Sequence, residues 1–209
     1  MNQIIVFALV LCLFPVKSYS EEKVNHSIDG TRSDFYVGFD IFTGDSDRKL
    51  KINTTPYKDG HDQTGYRLLA GKIFKQGFRL EAYYANENLD MKGDPFLSLF
   101  EKEIISIGAN VIKAFDVDRI FQPYFVLGFV SSRTQLSDPD FDFSSSSLRA
   151  AGFKLGAGLY FQVKKNTEFK LGAALQKRSW QDIEPEGSDT LITVDDEGVT
   201  IYAGVNVHF

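Results

Sequence analysis

The reading of the fold turns on residues 198–209, Gly198-Val-Thr-Ile-Tyr-Ala-Gly-Val-Asn-Val-His-Phe209. Val199, Ile201, Ala203, Val205, Val207 and Phe209 occupy every second position, and Thr200, Tyr202, Gly204, Asn206 and His208 the positions between. A strand sends successive side chains to opposite faces, so this alternation predicts a β-strand with one apolar and one polar face.

Working back from this stretch, seven more segments show the same period. They are 34–42, 64–74, 78–84, 100–112, 120–130, 148–163 and 168–178. In 34–42 the apolar set is Phe35, Val37, Phe39 and Ile41, facing away from Tyr36, Gly38 and Asp40. In 148–163 it is Phe153, Leu155, Ala157, Leu159 and Phe161, against Lys154, Gly156, Gly158, Tyr160 and Gln162. The segment 64–74 has the weakest signal; Tyr66, Leu68 and Ala70 are assigned to its apolar face and Arg67, Leu69 and Gly71 to the other. Pro123 cannot donate to a ladder and should sit near a strand's beginning or at a bulge.

The connections expected between these strands alternate in length. Long polar segments at 43–63, 85–99, 131–147 and 179–197 alternate with short ones at 75–77, 113–119 and 164–167. Eight strands joined long, short, long, short match an antiparallel up-and-down barrel with turns at one end and loops at the other. The polar face carries Asp40, Arg67, Arg79, Glu81, Asn110, Lys154 and Lys170, interspersed with glycine. An eight-stranded barrel is just wide enough to be filled by side chains. Placing Phe78, Phe125, Phe153 and Phe169 inside would overfill it, so the charged face is assigned to the interior as a mutually paired network and the apolar face to lipid. Phe74, Phe78, Phe121, Phe161, Phe169 and Phe209 then fall at the short-turn rim, and Tyr66, Tyr84, Phe100, Phe129 and Trp180 toward the long loops, as aromatic girdles require.

Composition agrees with this assignment. The chain has 19 Phe, 9 Tyr and 17 Gly against 2 Met and 6 Pro, a balance that favours strands. Residues 1–20 contain the apolar run 4–16, too short to span a membrane as a helix, then Ser18-Tyr19-Ser20 before Glu21-Glu22-Lys23. This is read as a cleaved secretory signal, with 21–33 a flexible leader and 34–209 the barrel. The only cysteine, Cys12, lies within the signal, and Leu11 before it argues against a lipid anchor. The remaining chain has no thiol for a disulfide or a metal. The formal charge of −5 becomes −6 when Lys17 leaves with the signal, and no basic cluster points to nucleic acid.

From about residue 34 to 209 the chain resembles the small eight-stranded bacterial outer-membrane barrels of the OmpA/OmpX and opacity-protein kind. The strands 35–41, 78–84, 152–163 and 198–209 and the loop rhythm carry the resemblance. It implies an outer-membrane location. It also implies that Tyr202, Val205, Val207 and Phe209 act as a C-terminal sorting signal for the barrel assembly machinery, and that the chain is a monomer among outer-membrane lipid and lipopolysaccharide. Members of this superfamily serve as adhesins, structural anchors, narrow channels and lipid-modifying enzymes.

Chemistry-bearing motifs are few. His61 with Ser46 or Thr64 is the one pairing that offers a base and a hydroxyl for lipid A chemistry, and no Gly-x-Ser-x-Gly elbow occurs. The run 138–142 begins like a calcium loop, but Phe143 stands where glycine is needed and Arg149 where glutamate is needed. The segment 179–197 is acidic: Asp182, Glu184, Glu186, Asp189, Asp195, Asp196 and Glu197 read as a solvated loop, with cation binding beside lipopolysaccharide as the functional alternative. The expectation is a non-enzymatic barrel without cofactor, serving envelope structure or surface interaction through the loops 43–63 and 179–197. A narrow channel is the alternative, ahead of a lipid-A-modifying enzyme and a soluble lipocalin-like barrel.

Overall fold

The computed structural model describes residues 34–53, 55–91, 100–115, 121–136, 147–183 and 191–209. The expected signal and leader, 1–33, lie outside them, as do Glu184, Glu186, Asp189, the run 138–142 and the Phe100 side chain. Eight strands form a closed barrel: β1 (Phe35–Ile52), β2 (Thr55–Ile73), β3 (Phe78–Met91), β4 (Phe100–Ala114), β5 (Phe121–Leu136), β6 (Ser147–Lys164), β7 (Thr167–Trp180) and β8 (Ile192–His208). Each pairs antiparallel with the next, and β8 closes on β1 from Tyr36↔His208 to Ile52↔Ile192. Closure gives every strand two partners, so backbone groups are satisfied without water, the condition for crossing a bilayer with strands.

The face assignment holds on all eight strands. Phe39, Leu68, Leu80, Ile107, Leu127, Leu155, Leu171 and Ile201 point outward, with Phe129 exposed at 68%. Asp40, Glu81, Asn110, Lys154 and Lys170 point inward and are almost wholly enclosed, Asp40 at 0%. Such exposure of aliphatic and aromatic side chains is intelligible only against a hydrocarbon solvent. Pro123 is the third residue of β5, beside its beginning, as expected.

Strand length differs from the sequence reading. Residues 43–63 are not a loop: β1 runs on to Ile52 and β2 returns from Thr55, in unbroken register from Thr43↔Thr64 to Ile52↔Thr55. Asn53 takes the turn with φ +53°, a left-handed conformation that asparagine tolerates. Likewise β3 continues to Met91, β5 to Leu136, and β8 starts at Ile192. The signal was lost because these extensions leave the bilayer. Their outer face (Asp45, Asp47, Lys49) meets water while their inner face stays buried (Ser46, Arg48, Leu50), so polar residues fall on both sides.

Tight inward packing relies on glycine opposite tyrosine. Tyr36 lies across from Gly71 and Tyr83 across from Gly108, and a Cβ on either glycine would collide with the ring. The same pairing recurs at Tyr124–Gly158 and Tyr202–Gly172. Each ring occupies the space that a side chain on the facing glycine would fill, the aromatic rescue of glycine.

Candidate functional site: a charged lumen beneath an apolar cap

Strand parity brings one side chain in two into the lumen, where they form stacked layers. Nearest the short turns, Arg79 donates two hydrogen bonds to Glu168, at 2.6 and 3.1 Å, and one to Gln122 at 3.1 Å. Asn206 donates to the same carboxylate at 3.0 Å, and the guanidinium lies 3.9 Å from the Tyr160 ring centroid.

The next layer holds most of the expected network. Lys170 sits between Asp40 at 3.0 Å and Glu81 at 3.4 Å. Asn110 donates to Glu81 at 2.6 Å, and the Tyr36 hydroxyl donates to it at 3.3 Å. Arg67 lies 4.0 Å from Asp40 and is held mainly by aromatic faces, 4.9 Å from Phe42 and 4.9 Å from Tyr202. Lys154 forms no ion pair among the described residues and rests its ammonium 4.4 Å over Tyr83. Asp40, Arg67, Arg79, Glu81, Asn110, Lys154 and Lys170 are all buried within the wall. Arg79 is separated from the other six by its own partner, Glu168.

Toward the outer mouth, Arg178 pairs with Glu87 at 2.8 Å, and Ser106 donates to Glu87 at 2.9 Å. Above that, Arg48 grips Asp196 at 2.7 and 3.0 Å while the Trp180 indole donates to the same carboxylate at 2.7 Å. This pair lies beyond the apolar band. Burial by itself raises the Asp196 carboxyl, but Arg48, then Arg178 and Trp180, pull it down to about 2. Leu50, Leu89, Ile104, Leu148, Ile192 and Val194 pack over this layer. Ile183 is pinned to Ile192 by a reciprocal backbone pair at 2.9 and 3.0 Å, closing the cap.

Three expectations are corrected. Trp180 is not a girdle aromatic; it points inward and is buried, because it shares parity with Arg178. Asp195, Asp196 and Glu197 are not loop residues but part of β8, and residues of the strands on either side bond to them. Asp196 has Arg48, Ser179 donates to Asp195 at 2.6 Å, and Lys49 pairs with Glu197 at 2.9 Å in water. That contact raises the Lys49 ammonium and lowers the Glu197 carboxyl. Of the acidic set, only Asp182 lies in the described connection. Finally, His61 is not a loop histidine: it lies in β2 directly across from Ser46 of β1, and both are buried on the inward face. Among the described residues, no group of three or more His, Asp or Glu is arranged to hold a metal ion.

Arg48, Glu87, Glu168, Arg178 and Asp196 were not part of the expected lumen set. The available signal was parity: Arg48 continues the series Tyr36, Asp40, Phe42, and Glu168 and Arg178 share the face of Lys170. Two small voids lie among these side chains, each about 10 Å³, room for about one water. Lys154 and Arg67 line both.

Solved structures of similar shape are outer-membrane barrels. Neisserial surface protein A is 20% identical over 86% of this chain and 100% of its own, with a TM-score of 0.52. OprG of Pseudomonas aeruginosa is 18% identical over 86% and 98%, with a TM-score of 0.51. At this identity the likeness is one of fold. No curated protein matches by sequence. The model of the outer membrane protein beta-barrel domain matches residues 6–209. With its closed eight-stranded wall, lipid-facing apolar surface and ion-paired interior, this chain is a bacterial outer-membrane protein and belongs to the outer membrane protein beta-barrel domain family.

Proposed function

We propose that this barrel is a non-enzymatic surface protein whose outer strand ends and loops serve interaction with other surfaces, or envelope structure, while the embedded part is scaffold. The observation that carries this reading is the ordered rise of the wall beyond its apolar band. The β1–β2 hairpin stays paired as far as Ile52↔Thr55. It is tied outside by Lys58–Asp47 at 2.9 Å and Lys49–Glu197 at 2.9 Å, and inside by the Arg48–Asp196 clamp. A pre-ordered platform loses little conformational entropy on binding. Its partners are outer-membrane lipid and lipopolysaccharide around the wall, with the barrel assembly machinery receiving the terminal strand through Tyr202, Val205, Val207 and Phe209.

Because Lys49 and Lys58 are register partners, the hairpin is testable. Replacing residues 50–57 with Asn-Gly leaves a two-residue turn of the favoured type. Retention of the gel shift between boiled and unboiled protein shows that the barrel still folds. Loss of cell-surface adhesion, or sensitivity of the envelope to detergent, is the expected result. A folded variant unchanged in both assays refutes the reading.

A further inference from the structure

The periplasmic rim carries a feature that neither the lumen nor the outer platform explains. Lys72 and Lys113 stand on the lipid-facing side of the wall, in series with Tyr66, Leu68 and Ala70 on β2 and with Ile107, Ala109 and Val111 on β4. A lysine there is expensive at mid-bilayer and tolerated only near an interface. Both occur at the short-turn ends of their strands.

Each ammonium is held between aromatic rings. Lys72 Nζ lies 4.8 Å from the Phe35 centroid and 5.6 Å from Phe74; Lys113 Nζ lies 4.6 Å from Phe78 and 5.6 Å from Phe115, and it also donates to the Gln76 carbonyl. Among the described residues neither lysine makes an ion pair. The register sets their spacing. Lys72 is level with Leu80 and Val111, and Lys113 is level with Phe78 and Phe125. The two are therefore two strands apart and offset by two residues, about 12 Å between backbones. Lys113 leans over Phe78 into that gap, whereas Lys72 rests over Phe35 on the β1 side and reaches the gap by swinging about its own flexible stem.

Lys75, exposed in the turn between β2 and β3, adds a third positive charge, and Lys164 and Lys165 extend the basic rim across the barrel. Asp34, whose carbonyl accepts from the Ile73 N–H at 2.6 Å, is the exposed acidic side chain described near Lys72. Positive charge at the hydrocarbon boundary, flanked by rings suited to acyl chains and unneutralised by protein, matches a phosphate attached to a lipid.

We propose that Lys72 and Lys113, framed by Phe35, Phe74, Phe78 and Phe115, form a binding site for the headgroup phosphate of an anionic phospholipid in the periplasmic leaflet. Selectivity for net negative charge follows from two ammoniums that make no ion pair among the described residues: a zwitterionic headgroup brings its own cation to a site that already has two.

The test uses the full chain, folded in detergent and titrated with phosphatidylglycerol or phosphatidylethanolamine of the same acyl chains, with bound lipid counted by native mass spectrometry. Wild type should retain the anionic lipid at least tenfold better. K72Q/K113Q should abolish that preference, while K164Q/K165Q keeps it, with the boiling-dependent gel shift preserved in both. If the double variant does not fold, K72Q and K113Q singly decide the matter, each expected to weaken retention about fivefold. Equal retention of the two lipids by wild type, or an unchanged preference in K72Q/K113Q, overturns the proposal. Displacement of the lipid by an equal concentration of inorganic phosphate overturns the lipid assignment.

Discussion

Replacing Arg79 with leucine tests whether the lumen's ion pairs hold the barrel together or merely fill it. The guanidinium makes a two-pronged contact with Glu168 at 2.6 and 3.1 Å and stacks on Tyr160 at 3.9 Å, all within the wall. After substitution, Glu168 retains the Asn206 amide at 3.0 Å but loses its guanidinium partner. Breaking one side of a buried pair costs about 3–5 kcal/mol, because the remaining charge stays desolvated. The lost ring contact adds about 1 kcal/mol. R79L should therefore shift the folded-to-unfolded ratio by about three to four orders of magnitude. Removing both charges in R79L/E168L should recover most of that, since a matched apolar pair often substitutes for a buried ion pair at little cost. The assay is urea unfolding of the barrel in detergent or thin vesicles, followed by the fluorescence of Trp180, the single tryptophan, which sits in a different layer. A double-mutant cycle then gives the coupling directly. An R79L barrel within 1 kcal/mol of wild type, or a double variant as unstable as the single one, would refute the reasoning.

Gly108→Ala should cost about 1–3 kcal/mol, since the added methyl meets both the Tyr83 ring and the Phe129 carbonyl; the urea midpoint checks this, and Tyr83→Ala in the same background should relieve part of the loss. The outer cap should weaken in acid. The Asp196 carboxyl is held below its ordinary 3.8 at about 2, so its contribution is complete above about pH 4 and declines as the pH falls toward 2. That contribution is about 2 kcal/mol, and D196N should abolish the dependence, read from the quenching of Trp180. The filled lumen should be electrically silent: stepwise conductance of the folded wild-type chain in a planar bilayer would show that the two voids of about 10 Å³ connect.

Legibility followed the solvent. Where the wall meets lipid on one side and buried charge on the other, the two environments differ so much that alternation names both faces, as in 198–209 and 148–163. Even the weak segment 64–74 places Arg67, Leu69 and Gly71 inward as expected. Where the same strands stand in water, both faces tolerate polar residues, and 43–63 looked like a loop although its inner parity continues through Ser46, Arg48 and Leu50. Trp180 was misplaced for a related reason: an aromatic near a strand end fits a girdle, and only its parity with Arg178 sends it inward to Asp196.

The amino-acid sequence by itself determined the number of strands, their order, which face each turns to lipid, and seven of the charged and polar residues that lie inside. These depend on a period of two and on the transfer of side chains between solvents, both local properties. Only the tertiary structure decided which charges meet. Arg79 and Glu168 are 89 residues apart, and Arg48 and Asp196 are 148 apart. Their pairing depends on the stagger between strands and on closure of β8 onto β1. A cross-lumen contact depends on the relative height of two strands, a quantity written in no single segment, so partner choice emerges only when the barrel closes.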